Sequence, residues 1–201
     1  DAQESRGLGD VYKRQVVGYL KEQFCEIWKE YQGITLIENP YYATCNNISS
    51  LYVARKYLEN AIILDGDQII CNERILISEF CRSGYNSVWT FEETDEWLQT
   101  VKDGIVTACS RVGGGCGWQL YSISRWTAED GRKLKKHLEL EFEQKHNTQI
   151  YWDDIVMFCH SQEYQLGIFE MQPDDVIEID SLEELISIDN NYVKYREKGL
   201  A

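Results

Sequence analysis

The sequence has few prolines and histidines and is short of positive charge. Only 2 prolines and 3 histidines occur among 201 residues, and 20 lysines and arginines face 34 aspartates and glutamates, for a net charge of −14. The scarcity of proline argues against a long disordered linker. Because nucleic acids and anionic lipids are both bound through clustered positive charge, the acidic balance argues against a nucleic-acid or membrane surface.

Long apolar runs and paired cysteines are also absent. No stretch reaches the roughly 20 apolar residues of a membrane-spanning helix. The first 15 residues are polar and charged and do not resemble a signal peptide. The seven cysteines form no C-x-x-C pair and no zinc-binding spacing with histidine. We therefore expect reduced thiols in a cytoplasmic protein.

What is present first is an alternation of apolar runs and amphipathic segments. The pattern predicts strands at 16–19, 34–37 and 61–64, with helices over 21–31 and 46–60 between them. Apolar strands that alternate with helices indicate a parallel sheet covered on both faces, with ligands at the carboxyl ends of the strands.

The second part of the chain has a different pattern, typical of a mixed or antiparallel layer. Strands are predicted at 85–91, 104–111, 117–124, 165–171 and 176–179, and helices over 127–145, over 152–158 and from 181 onward. Residues 1–15 lack periodicity and are expected to be an extraneous or disordered tail, which leaves 16–201 as a single domain.

Several segments, in this order, resemble one family. They are VVGYLKEQF, ENPYYATCNNISSLYVARKYL, AIILDGDQIICN, IYWDDIV and VIEIDSLEEL. Together they resemble the CTP:phosphocholine cytidylyltransferases, which belong to the wider nucleoside-triphosphate transferases. The resemblance implies an α/β, nucleotidyltransferase-like (Rossmann-like) mixed sheet with helices on both faces. It also implies attack of a substrate phosphate on the α-phosphorus of CTP, release of pyrophosphate, and Mg²⁺ as the cofactor.

One departure from the family concerns the triphosphate. The family begins with a strand and a Gly-rich loop containing Arg and Lys, and nothing of that kind occurs here. The glycine run 113–117 leads into no Gly-Lys-Ser/Thr sequence and is expected to be a turn or bulge. We therefore expect the domain to lack its first strands, roughly 60–80 residues or two strand–helix pairs. The 201-residue chain is expected to turn over CTP very slowly or not at all.

Two aspartates are predicted to hold the metal and to serve catalysis. Asp67 and Asp180 each follow an apolar strand, and each matches a metal-binding aspartate of the family. Carboxylates are the ligands that Mg²⁺ prefers in proteins. The alternative for each is a turn or helix-cap aspartate, and Asp65 is expected only to orient its turn.

Asn47 and Ser50 stand at a predicted helix start after a strand. Backbone N–H groups and short polar side chains at such a position suit phosphate or base contacts, although plain N-capping is the alternative. The resemblance favours contacts to the cytosine base or ribose of CTP.

The acceptor site is predicted to be aromatic. A quaternary ammonium donates no hydrogen bond, so aromatic faces and a carboxylate are the physical solution for binding it. The residues predicted to bind the acceptor are Trp97, Trp126, Tyr151, Trp152 and Asp153. Because chain neighbours cannot all face one cavity, we expect only one of Tyr151 and Trp152 to line it, with Asp153 at the edge. The alternative for each tryptophan is a place in the core.

The expected partners are CTP and a phosphocholine-like molecule, with a fused or separate kinase as a further one. Two alternative functions remain: a sugar-1-phosphate nucleotidyltransferase, and a non-catalytic ligand-binding relic of the fold. The three histidines form no triad with a serine or cysteine. No general base is required, because a phosphate monoester is already anionic at neutral pH.

Overall fold

One large mixed sheet and two small two-stranded sheets organise the chain. The computed structural model describes residues 12–29, 31 and 33–196, and only the backbone of residues 27 and 28. The strands are β1 (Lys13–Val17), β2 (Ile34–Glu38), β3 (Ala61–Ile63), β4 (Gln68–Ile70), β5 (Gly84–Thr90), β6 (Leu98–Lys102), β7 (Ile105–Ser110), β8 (Gly117–Trp126), β9 (Gly167–Glu170) and β10 (Val176–Glu178).

Five α-helices are described: α1 (Lys21–Trp28), α2 (Ile48–Ala54), α3 (Ala128–Glu139), α4 (Leu182–Ile188) and α5 (Val193–Arg196). Two π-helical turns, Leu140–Gln144 and Ile155–Cys159, stand where the sequence predicted continuous helix. None of the helices in the described part of the chain has the length and apolar character needed to cross a bilayer.

The large sheet confirms the predicted mixed α/β fold. Its strands run in the order β7-β6-β8-β5-β9, and β3 pairs with the end of β8 beyond β6. Only β9 pairs in parallel, with β5, and the other strand pairs of this sheet are antiparallel. β6 was not predicted, because LQTVK alternates weakly between apolar and polar residues.

The first two strands pair in parallel, as expected, but β3 does not join them. Its three residues run antiparallel to Ser124–Trp126 of the long strand β8. β6 pairs with an earlier part of β8, so the backbone groups of Ser124–Trp126 are available to β3. β1 also begins earlier than predicted, since residues 13–15 pair with residues 34–36 of β2. Residues 1–11 of the predicted tail lie outside the described part, so the division of the chain at residue 15 stays a prediction.

The main core lies on one face of the large sheet, beneath α2, α3 and the second π-helical turn. Tyr85, Trp126 and Trp152 pack together there, with ring centroids 6.0–6.3 Å apart. Ile48, Leu134, Leu138 and Ile155 complete the contact and are fully buried. A second, smaller core on Val88 and Ile123 packs against β10 and the turn at Glu73–Leu76.

The backbone of α3 packs closely against the segment that precedes β3, and this contact fixes the position of the helix. The hydroxyl of Thr127 accepts a hydrogen bond from the amide of Asp130 and caps the helix. One turn into the helix, a Cβ on Gly131 would lie 2.2 Å from the carbonyl oxygen of Leu58. Only glycine therefore fits there without moving the helix.

We predict that Gly131→Ala destabilises the protein by about 1–3 kcal/mol, because the added methyl meets rigid backbone. The melting temperature should fall by about 2–4 °C for each kcal/mol. Gly66→Ala is the control, since a Cβ there meets only the side chain of Gln15 at 4.0 Å. Equal melting temperatures for the two variants would contradict the packing argument.

Candidate active site

A short antiparallel pair brings distant carboxylates together. β4 pairs with β10 so that Gln68 lies opposite Glu178, and the amide of Ile179 donates to the carbonyl oxygen of Asp67 at 2.9 Å. Asp67 precedes β4 and Asp180 follows β10, so the pairing places both at one end of the ladder. Carboxylate oxygens of Asp67, Glu178 and Asp180 lie within 4.8 Å of one another, and we call these three residues the carboxylate cluster.

Glu178 was missed by the sequence analysis, although its position contained a signal. Residues 178 and 180 are separated by two, the spacing that puts side chains on the same side of an extended strand. Partial burial raises the pKa of the Glu178 carboxyl to about 7, and the negative charges of Asp67, Asp180, Glu96 and Asp65 add to the shift. This repulsion is the electrostatic condition that a divalent cation relieves.

A line of acids leads from the carboxylate cluster into the protein. Asp65 follows β3 and is half-buried. Burial, together with the charge of Asp67, raises the pKa of its carboxyl, whereas a hydrogen bond from Ser122 lowers it. Asp153 is buried next in line. Its burial, with the charges of Asp65 and Asp154, raises its pKa to about 8, although the hydroxyl of Tyr85 donates to its Oδ1 at 2.8 Å.

Two of the predicted acceptor residues belong to the core instead. Trp126 is 0% and Trp152 is 2% exposed, and the indole N–H of Trp126 donates to the hydroxyl of Ser124. Neither ring presents a face to a ligand, because both close the aromatic core on Tyr85. The structure thus corrects the expectation for these two residues.

The other predicted aromatics meet at the surface. Tyr151 is half-exposed, as expected if only one of the 151–152 pair faces outward. Its ring packs edge-on against Trp97 at 6.0 Å, and Trp97 packs edge-on against Phe158 at 5.6 Å. We call Trp97, Tyr151 and Phe158 the aromatic cluster.

Charged side chains flank the aromatic cluster. Arg111 lies with its guanidinium carbon 4.0 Å from the ring centre of Phe158 and 5.8 Å from that of Trp97. Its Nη2 lies 2.5 Å from Oδ1 of the buried Asp154, whose other oxygen accepts from the amide of Tyr151. Sequence reasoning missed Phe158, Arg111 and Asp154, because nothing in the local pattern signals a contact between β7 and the second π-helical turn.

Asn47 and Ser50 already have protein partners. Oδ1 of Asn47 accepts from the amide of Trp152 at 2.9 Å, and the hydroxyl of Ser50 accepts from the side-chain amide of Asn39 at 3.2 Å. Asn47 stands at the N-cap position of α2 but makes no side-chain cap. Both residues hold the start of α2 against neighbouring loops, and their contacts to CTP stay a prediction.

Two of the histidines, for which the sequence predicts no catalytic triad, stack on each other. The rings of His137 and His160 lie parallel, 3.9 Å apart, and both face Glu163. Because one metal ion cannot lie in the planes of two stacked parallel rings, this group is not arranged to share an ion. Burial lowers the pKa of His137, and neighbouring His160 lowers it further.

Two cavities among the described residues lie elsewhere. One of about 280 Å³ is lined by Thr107, Met157 and Tyr164, and one of about 470 Å³ by Arg74, Arg125 and Phe169. The buried guanidinium of Arg125 binds the carbonyl oxygens of Ile75 and Ile77 and so fastens their turn to the sheet. Residues of the carboxylate cluster and of the aromatic cluster line neither of these two cavities.

We predict that Glu178→Gln raises the melting temperature in EDTA more at pH 8 than at pH 5. The pKa of this carboxyl is raised in the folded state from its ordinary 4.5 to about 7, so the cost to stability is full above pH 7 and shrinks as the pH falls from 7 to 4.5. Mg²⁺ should stabilise the wild type at pH 8 and the variant less.

Glu129→Gln is the control, because Glu129 pairs with Lys133 on the exposed side of α3. Its effect on the melting temperature should change little between the two pH values. A pH-independent effect of Glu178→Gln would show that the pKa of this carboxyl is not raised in the folded protein.

Comparison with known proteins places these clusters in context. The chain is 32% identical over 180 residues to the 2-aminoethylphosphonate cytidylyltransferase of Lancefieldella rimae, covering 89% of this chain and 73% of that protein. It is 29% identical over 181 residues to the choline-phosphate cytidylyltransferase of Streptococcus pneumoniae, covering 90% and 77%. No family model matches the sequence.

Solved structures agree with these relatives. The CTP:phosphocholine cytidylyltransferase of Streptococcus pneumoniae superposes with a TM-score of 0.79 at 28% identity, covering 89% of this chain and 77% of that one. An inositol-1-phosphate CTP transferase of T. maritima shares the fold, with a TM-score of 0.64 at 15% identity over 94% of this chain and 79% of that one.

Proposed function

The chain belongs to the cytidylyltransferase family, and from this membership we propose that it transfers the cytidylyl group of CTP to phosphocholine or a related amine-phosphate, with release of pyrophosphate. The observation that carries the proposal is the meeting of Asp67, Glu178 and Asp180 from opposite ends of the chain. A line of acids joins them to the aromatic cluster.

The carboxylate cluster fits a Mg²⁺ ion. Three hard oxygen ligands lie within 4.8 Å of one another. Burial and the charges of Asp67 and Asp180 raise the pKa of Glu178, and a cation relieves this repulsion. When bound, Mg²⁺ would supply the positive charge that gathers the triphosphate and the acceptor phosphate. Asp67 and Asp180 would hold it, and Glu178 is the third carboxylate available.

The aromatic cluster suits the ammonium end of the acceptor. Trp97, Tyr151 and Phe158 are all at least partly exposed, and the carboxylate of Asp154 lies beside them. Aromatic faces and a carboxylate bind a trimethylated amine without needing a hydrogen bond from it. The phosphate of such a ligand is already anionic, so the residues here have to orient it and not to deprotonate it.

Other functions fit these residues less well. A sugar-1-phosphate acceptor calls for several hydrogen-bonding groups, whereas this surface offers three aromatic rings and one ion pair. A non-catalytic relic would have no use for three repelling carboxylates. The net charge of −14 supports neither a nucleic-acid nor an anionic-membrane partner. We place the protein in the cytoplasm. A separate or fused kinase could supply the phosphorylated amine there.

The acceptor is tested by calorimetric titration of phosphocholine, 2-aminoethylphosphonate and glucose 1-phosphate in the presence of Mg²⁺. Pyrophosphate release from CTP is followed in parallel, and we expect it to be very slow or absent for the 201-residue chain. We expect phosphocholine to bind best. Trp97→Leu should weaken its binding roughly three- to thirtyfold through loss of a cation–π contact.

Trp89→Leu is the matched control, because Trp89 packs on Phe91 and Trp118, outside the aromatic cluster. Tighter binding of glucose 1-phosphate, with no effect of Trp97→Leu on any ligand, would favour the sugar-phosphate alternative.

The metal site is tested with Mn²⁺ as a paramagnetic probe. Asp67→Asn and Asp180→Asn should each weaken Mn²⁺ binding roughly tenfold or more, since each removes a charged ligand. Asp103→Asn is the control: Asp103 lies in the β6–β7 turn at φ 52°, a conformation that asparagine accepts. Unchanged Mn²⁺ affinity in both cluster variants would refute the assignment.

A further inference from the structure

The surface that suits an ammonium group is already covered by a cation of the protein. Arg111 directly follows β7, and its side chain is 49% exposed. Its guanidinium lies on the face of Phe158, with a centroid distance of 4.0 Å, and within 5.8 Å of the ring centre of Trp97. Both distances are within the range of a cation–π contact.

The carboxylate that completes this arrangement is fixed. Asp154 is 5% exposed in its side chain, and its Oδ2 accepts a hydrogen bond from the amide of Tyr151 at 3.0 Å. Oδ1 lies 2.5 Å from Nη2 of Arg111 as an ion pair without hydrogen-bond alignment. The arginine, on its long and half-exposed side chain, is therefore the partner that can leave.

A quaternary ammonium and the guanidinium would compete for the same place. Both are cations that favour an aromatic face next to a carboxylate. When a quaternary ammonium enters, the charge of Asp154 stays neutralised and the aromatic contacts are replaced in kind. The guanidinium then loses its partners and is free to take others.

An amine-phosphate ligand carries the replacement partner with it. Its phosphate is two carbons away from the nitrogen, and a guanidinium binds phosphate through two parallel hydrogen bonds. The surroundings otherwise repel a phosphate, because the carboxylate of Asp154 lies next to this surface. A ligand with both charges satisfies Asp154 and Arg111 together, whereas a bare amine satisfies only Asp154.

We propose that Arg111 determines acceptor specificity: it occupies the aromatic cluster in the free protein, is displaced by the ammonium group of the ligand, and then pairs with the phosphate of that same ligand. This inference rests on the proposed function, since it takes the aromatic cluster as the acceptor site. It adds that the free protein excludes amines that lack the phosphate.

The test compares two ligands on one variant. Arg111→Met removes the charge and keeps an unbranched chain. Calorimetric titration should show choline, which has no phosphate, binding roughly three- to tenfold tighter to the variant than to the wild type, because the aromatic cluster is vacated. Phosphocholine should bind roughly tenfold more weakly, because the phosphate loses a bidentate partner.

Arg132→Met is the control, since Arg132 pairs with the exposed Glu59 on another part of the surface, and it should change neither affinity. Near-ultraviolet circular dichroism would show that the Arg111 variant keeps its aromatic packing. If both ligands weaken together, or if neither affinity changes, Arg111 does not act as proposed.

Failure of the proposed function looks different. In that case neither choline nor phosphocholine binds the wild type, and Trp97→Leu has no effect on either ligand. Opposite changes for the two ligands in Arg111→Met are the result that supports the exchange.

Discussion

The site depends on three residues of β4 facing three residues of β10. This antiparallel ladder, with the Ile179–Asp67 backbone hydrogen bond at its end, holds carboxylates from distant parts of the chain within 4.8 Å. The carboxylates repel one another, so the ladder hydrogen bonds and the small core at Ile75 and Val176 have to offset the repulsion. Removal of the ladder would separate Asp67 from Asp180 without changing either residue.

This arrangement places several acidic side chains of the protein in one line. Asp65 and Asp153 continue the row of acidic side chains from the carboxylate cluster toward the aromatic cluster. Besides burial, the charge of Asp67 raises the pKa of Asp65, and the charge of Asp65 raises the pKa of Asp153. Such a line attracts cations and disfavours free phosphate. Phosphate-bearing ligands therefore need a compensating positive charge, from a divalent ion at one end and from Arg111 at the other.

The sequence predicted the parts of this site that local chemistry determines. Asp67 and Asp180 stand at strand–turn junctions, and the resemblance assigned them to one ion, so their proximity was expected. Trp126 and Trp152 were assigned to the acceptor because composition alone cannot say which way a ring points. The face that Trp126 presents is set by the β5–β8 register, and the burial of Trp152 by packing on Tyr85. The short strand β4 was missed because Gln68–Ile70 contains only two apolar residues.

The contact of Arg111 with Phe158 and Asp154 illustrates a limit of another kind. It joins the end of β7 to a π-helical turn, and the sequence of neither element predicts a contact with the other. The physical reason for this contact becomes clear only from the charges of the side chains involved. Asp154 is buried, and an unpaired buried carboxylate is costly, so the free protein needs a cation on this surface. A cation on a long, half-exposed side chain meets that need. In the proposed exchange it also yields to a ligand that carries both charges, so that the stability of the free site and its selectivity depend on the same ion pair.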